Sequence, residues 1–150
     1  MSPAIAVWPV AIYWAWSLWQ LAGKARYAVI LMTLIGCVMD SILLQSGVFS
    51  FIATAHLPVW MVLLWGCFSL VLVQVLAGWL KYWYVGAFFG AVTGPFAYWG
   101  GAVLGGQLVF DNPISLLLTL APCWALLLAI AVYCRFLWSE TDDAKDFSTQ

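Results

Sequence analysis

Tyr27-Ala-Val-Ile-Leu-Met-Thr-Leu-Ile-Gly-Cys-Val-Met-Asp40-Ser-Ile-Leu-Leu-Gln-Ser-Gly47 has the length and apolarity of a membrane span, and it carries one charge. About 20 apolar residues in a helix cover a hydrocarbon layer ~30 Å thick. Asp40 is the only formal charge between Arg26 and Lys81. A carboxyl group at that depth costs at least ~2.5–3.5 kcal/mol on insertion scales, so it needs a partner or a purpose. Asp40 is therefore the leading functional pointer in the chain.

The surrounding composition repeats the message. Hydrophobic residues make up 66% of the chain and charged residues 7%, against about 45–50% and 25% in globular domains. One core cannot hide that much apolar surface in 150 residues, so lipid must cover much of it. The net charge of −1 and the lack of a basic patch give no footprint for nucleic acid. Lys24 is the first basic residue, so the N-terminus lacks the charged start of a secretory signal peptide, and the first helix is expected to remain in the mature protein.

Five segments qualify as spans: Ala4–Ala22, Arg26–Gly47, Leu57–Leu80, Tyr82–Phe110 and Pro113–Trp138. The expected fold is all-α, a polytopic bundle of five transmembrane helices forming a single domain over residues 1–138. Residues 139–150 read as an acidic, disordered cytoplasmic tail. The turns at Gly23-Lys24-Ala25-Arg26 and at Lys81 are short enough to make antiparallel hairpins. Five crossings put Lys24, Arg26, Lys81, Arg135 and Lys145 on one side, which makes that side cytoplasmic and the topology N-out, C-in. Trp19, Tyr27, Trp79, Tyr82, Trp83, Tyr84, Tyr133 and Trp138 gather at the same interface, while Trp8 and Trp60 mark the other. Trp14, Trp16, Trp65, Trp99 and Trp124 fall deeper, where indole N–H groups want acceptors.

Seven of the twelve glycines lie between Gly86 and Gly106, and Gly86, Gly90 and Gly94 recur every four residues on one helix face. Such a face is expected to pack closely against another helix, within the chain or across a homo-oligomer. Pro95 lacks an N–H and should break the backbone ladder there. Asp40 and Pro95 each lie fourteen residues from a flanking basic residue, Arg26 and Lys81, so they share a depth. The candidate polar site is therefore Asp40 and Ser41 facing Gly94, Pro95 and Tyr98. Asp111-Asn112-Pro113 reads as a helix cap followed by proline in the first turn. Gln74 should bond a neighbouring helix, and His56 should sit at the interface.

Cys37, Cys67, Cys123 and Cys134 have no ligand-like spacing, and His56 is the lone histidine. No metal site and no cofactor is expected, and multi-histidine membrane oxidoreductases are excluded. No nucleophile elbow or phosphate loop appears.

Gly36-x-x-x-Asp40-Ser41-x-Leu43-Leu44-x-x-Gly47, then Pro58-x-Trp60 with Leu64-Trp65-x-x-Phe68, then Phe89-Gly90-Ala91-x-x-Gly94-Pro95-x-x-Tyr98-x-x-Gly101-x-x-Leu104-Gly105 resembles a bacterial family of small integral membrane proteins labelled as a domain of unknown function, DUF2878. The resemblance runs from Gly36 to Phe110, and typical members begin with an additional helix. It implies a multi-pass protein of the bacterial inner membrane. Because family genes neighbour those for fatty-acid modification, it also implies a link to lipid metabolism, with membrane lipids and lipid-modifying enzymes as partners.

Three functions compete on these residues. The leading expectation is a non-catalytic accessory or lipid-binding component. The second is a small enzyme using Asp40 as acid or base, helped by Ser41 or Tyr98. The third is a proton-linked transporter subunit.

Overall fold

The computed structural model describes the backbone of residues 3–21, 23–76 and 79–146, with side chains described between residues 7 and 134. Among the described residues five α-helices follow in order: α1 (Pro3–Gln20), α2 (Gly23–Gln45), α3 (Val59–Val71), α4 (Trp83–Gly105) and α5 (Pro113–Asp146). Two-residue strands, β1 (Ser50–Phe51) and β2 (Leu108–Val109), join the α2–α3 and α4–α5 connections in an antiparallel pair. The expected all-α class is therefore correct.

Among the described residues, four stretches are long and apolar enough to cross a membrane: Gly23–Gln45, Val59–Leu76, Trp83–Leu104 and Pro113–Cys134. α1, at 18 residues, is helical but not among these four stretches, and it carries four tryptophans, a tyrosine and two prolines. Its place in the bundle is set by packing: a Cβ on Gly66 of α3 would collide with the Trp14 indole. The Arg26 guanidinium also caps the end of α1, donating from Nε to the Leu18 carbonyl at 3.0 Å and from Nη2 to the carbonyls of Trp19 and Leu21, both at 3.1 Å. A basic side chain here satisfies carbonyls that the helix leaves open.

α2 buries Val29, Met32, Thr33, Gly36, Asp40 and Leu43. Their spacing of three and four residues makes one stripe, and Asp40 lies on it. α2 ends at Gly47, which takes φ 74°, and α4 ends at Gly106 with φ 60°. Both are left-handed caps that suit glycine. At the other end of the β2 connection, Asn112 caps α5: its Oδ1 accepts from the Ile114 N–H at 2.8 Å, with Pro113 in the first turn.

Gly86, Gly90 and Gly94 form the seam between α4 and α5. Side chains there would meet Val132, the Trp124 carbonyl and the Trp124 ring respectively. The seam is internal, so this face is occupied and does not serve a second copy of the chain. Lipid gives apposed helices no hydrophobic drive, and close contact through small residues supplies the attraction instead.

Several details differ from the sequence-based expectation. α4 is continuous through Pro95, which is fully buried. Neighbouring helices hold the segment where proline withholds its own N–H. Trp16 and Trp99 are exposed on the outer faces of their helices. Gln74 lies exposed in the π-helical turn Leu72–Leu76 that follows α3, with no bond to a neighbouring helix among the described residues. The acidic end, expected to be disordered, continues α5 as helix to Asp146, while residues 147–150 lie outside the described residues. The side chains of Arg135, Trp138 and Lys145, used above for orientation, also lie outside them.

The seam makes a direct prediction. Gly90→Leu must push α5 away, because the obstacle is backbone rather than a mobile side chain. It should cost at least about 1–3 kcal/mol, the range for overpacking a filled site. Gly100→Leu, where a Cβ meets nothing within 4 Å, should leave thermal unfolding in detergent unchanged or slightly raised.

Candidate functional site

The bundle is built as two groups that a carboxyl group ties together. α2 packs on α3 with α1 beside them, and α4 pairs with α5. α3 and α4 stand apart, without extensive contact along their lengths. Behind the gap between them lies Asp40, with no exposed surface. The indole Nε1–H of Trp65 on α3 donates to Asp40 Oδ2 at 2.6 Å. The hydroxyl of Tyr98 on α4 donates to Oδ1 in a short hydrogen bond. One side chain on α2 thus holds both walls of the gap, one oxygen to each.

The rings are fixed in turn by contacts on their other sides. Trp65 stacks on Trp124 of α5 with centroids 5.0 Å apart and an interplanar angle of 19°. Trp65 also closes over Gly36, where a Cβ would overlap its ring. Phe68 meets Trp65 and Trp124 edge-on at 5.7 and 5.1 Å. Phe49, carried by the segment that enters β1, touches Tyr98 at 5.6 Å. Aromatic pairs of this kind contribute about 0.5–1.5 kcal/mol each beyond their buried area. Together they leave Trp65 and Tyr98 little rotational freedom.

The gap itself is a cavity of about 630 Å³, within the ~300–1,000 Å³ span of small-molecule sites. Trp60, Leu64, Trp65, Phe68 and Leu76 line it from the α3 side, and Phe89, Thr93, Ala97, Tyr98 and Gly101 from the α4 side. Trp124 supplies its floor, and Gln107 and Leu108 close one end. Thr93 spends its hydroxyl on the Phe89 carbonyl at 2.8 Å. Leu64 and Phe89 are exposed on the bundle surface, so the cavity opens sideways toward the surrounding medium.

Of the five residues marked from the sequence, the structure brings Asp40 and Tyr98 into direct contact. Gly94 lies next to them and serves the site indirectly, by admitting the Trp124 ring. Pro95 is buried on the same helix. Ser41 turns away and donates to the Cys37 carbonyl at 2.7 Å, within its own helix. Trp65 was missing from the set. It lies sixteen residues before Lys81, close to the depth of Asp40, and had been singled out only as a deep indole in need of an acceptor.

Chemically, the arrangement is a carboxyl group with two donors, placed behind the cavity wall rather than in it. Asp40 does not line the cavity, whereas both of its partners do. No group of three or more potential metal ligands occurs among the described residues. Polar atoms of Trp14, Ser69 and Trp124 are buried with no hydrogen-bond partner among the described residues, which places three unsatisfied groups in and around the same core. Asp40 thus fixes the placement of the Trp65 and Tyr98 side chains.

Asp40→Ala should strand two buried donors, at about 1–3 kcal/mol each, lowering the unfolding midpoint and broadening tryptophan emission. Asp40→Asn should fall between native and Asp40→Ala, because Oδ1 still accepts from Trp65 whereas the amide can only donate to the Tyr98 oxygen and leaves the Tyr98 O–H without its acceptor. Thermal unfolding in detergent, followed by near-ultraviolet circular dichroism, separates the two variants.

No curated protein and no solved structure matches the chain. A family model does match, over residues 1–130, a wider stretch than the Gly36–Phe110 motif run. The chain belongs to that family, described as a protein of unknown function, DUF2878.

Proposed function

We propose that this protein is a multi-pass component of the bacterial inner membrane that holds a hydrocarbon chain in the cavity between α3 and α4, as a non-catalytic accessory to membrane-lipid or fatty-acid modification. The observation that carries the reading is the cavity of about 630 Å³, walled by aliphatic and aromatic side chains and open sideways between two apolar helices. A cavity of that lining offers little to a polar solute, and acyl chains are what surrounds it in a bilayer. α1 is the fifth crossing in this reading. Lys24, Arg26 and Lys81 sit at the helix connections on one side, which favours an N-out topology under the positive-inside rule.

The position of Asp40 weighs against the acid–base alternative, since a general acid or base must come within hydrogen-bond reach of the substrate. Asp40 meets only the backs of Trp65 and Tyr98. A transporter would need a polar route across the bundle, and the cavity lining provides none.

Gly101 and Gly100 supply a matched pair for the test. A Cβ on either meets nothing within 4 Å, but only Gly101 lines the cavity. Gly101→Leu should fold normally and reduce the lipid retained on purification, measured by native mass spectrometry. The expected loss is roughly five- to a hundredfold, the equivalent of overpacking a filled site. Gly100→Leu should retain lipid as the unsubstituted protein does. Equal retention by both variants would remove the cavity from the account. Lipid profiling of a deletion strain complemented with each variant tests the cellular side: the fatty-acid composition should change with the deletion and be restored by Gly100→Leu alone.

A further inference from the structure

The cavity is not uniform from end to end, and its asymmetry selects both the kind of lipid and the direction in which it lies. α3 and α4 flank it in opposite chain directions, so Trp60 and Gln107 share the end next to the β1–β2 pair, while Leu76 and Phe89 share the other. On α4 the lining runs along the helix from Phe89 to Gly101, twelve helical rises or about 18 Å, and on the α3 side from Trp60 to Leu76, sixteen rises or about 24 Å. Half of a ~30 Å hydrocarbon layer is roughly 15 Å. The cleft therefore exceeds half the layer but falls short of the whole, which suits a single acyl chain rather than a molecule crossing the bilayer.

Its polar atoms are distributed just as unevenly. Along the middle, Trp65 and Tyr98 are committed to Asp40, and Thr93 to the Phe89 carbonyl. The Trp124 nitrogen is fully enclosed and not open to the cleft. At the β1–β2 end, the Gln107 backbone carbonyl is held by the Ile52 N–H at 3.1 Å, whereas its exposed side-chain amide makes no hydrogen bond among the described residues. Trp60 stands beside it, packed edge-on against Phe51 at 5.7 Å and partly exposed. That end offers an uncharged donor and acceptor next to an amphipathic ring. No lining residue is cationic.

Building on the cavity reading above, we propose that the cleft takes one ester-linked acyl chain of a glycerophospholipid from the leaflet on the β1–β2 side. The ester lies at Gln107 and Trp60, and the terminal methyl reaches toward Leu76 and Phe89. A free fatty acid carries an anionic carboxylate, for which the polar end supplies no positive charge. An ester carbonyl needs only a neutral donor, and the Gln107 amide is one. The lateral opening lets a lipid enter with its head group still in the interface, so only one chain leaves the bilayer.

The test uses the full-length protein in vesicles of phosphatidylglycerol. One probe lipid carries a photoactivatable diazirine at the methyl end of an acyl chain, and a second carries it beside the ester. A third probe is a free fatty acid labelled at its methyl end. Peptide mass spectrometry locates the cross-links. The methyl-end phospholipid should mark Leu76 and Phe89, and the ester-side probe should mark Trp60 and Gln107. The fatty acid should mark the cleft far less. Gln107→Leu should weaken cleft labelling by the phospholipid about three- to tenfold, as expected for one neutral hydrogen bond. Reversed or indistinguishable labelling by the two phospholipids, or equal labelling by the fatty acid, overturns the orientation and ester assignment while leaving chain binding in the cleft intact. Labelling spread evenly over Leu34, Val38 and Ile42 on the exposed face of α2 overturns the cavity reading as well.

Discussion

The Asp40 carboxyl group is the constraint on which the site depends, because one buried side chain hydrogen-bonds into both halves of the bundle. Its two oxygens accept from Trp65 on α3 and Tyr98 on α4. In a hydrocarbon environment, neither the indole N–H nor the phenol O–H has water to fall back on, so each donor depends on the carboxyl oxygen it meets. The cost of burying the acid and the cost of burying two donors offset each other within one cluster. The result is geometric: α3 and α4 do not pack on each other, yet their facing rings cannot drift. A cleft held open in this way differs from a packing defect, whose walls would relax inward.

The glycines show the same division of labour from the other direction. Gly86, Gly90 and Gly94 bring α4 so close to α5 that any side chain would collide with it. Further along the same helix, Gly100 and Gly101 have open space where a side chain would stand. Small residues in a membrane helix ordinarily mark a close partner. Gly101 has none on its cavity side, so its smallness preserves volume instead of closing it. α4 therefore does two jobs, adhering to α5 through one end of its glycine series and leaving room beside α3 through the other.

Much of this was legible in the chain, for reasons that can be named. Asp40 was visible as the lone charge in a long apolar run, and equal distance from a basic flank brought Pro95, with Tyr98 three residues further on, to its depth. The glycine face was visible because a four-residue recurrence on a helix can mean only a shared side. Trp65 was less visible because an indole in an apolar run reads equally well as packing; the signal that could have found it was its count from Lys81, sixteen residues, close to the depth of Asp40. Ser41 misled by adjacency. Neighbours in a helix point about a quarter-turn apart, and a serine can always satisfy itself on the carbonyl four residues back, as Ser41 does with Cys37. Pro95 misled for a related reason: the missing N–H is local, whereas helix continuity in a bundle is decided by the neighbours. The cavity had no sequence signature, since a void is made by residues that fail to meet.

The short β1–β2 pair explains how such a cleft keeps one polar end. Loops between membrane helices have backbone groups to satisfy, and near the interface they can satisfy them on each other. Ser50 and Phe51 pair with Val109 and Leu108, and the Ile52 N–H extends the ladder onto the Gln107 carbonyl. This ties the α2–α3 connection to the α4–α5 connection across the end of the cleft. It also fixes Phe49 against Tyr98, so the same few residues seal the end of the cleft and brace one of its walls. Gln107 is committed through its main chain and uncommitted through its side chain. A mobile loop could not keep a neutral amide at a set height above an apolar slot. The backbone pairing does so without using the side chain, and that leaves the amide available to a polar linkage on the proposed acyl ligand.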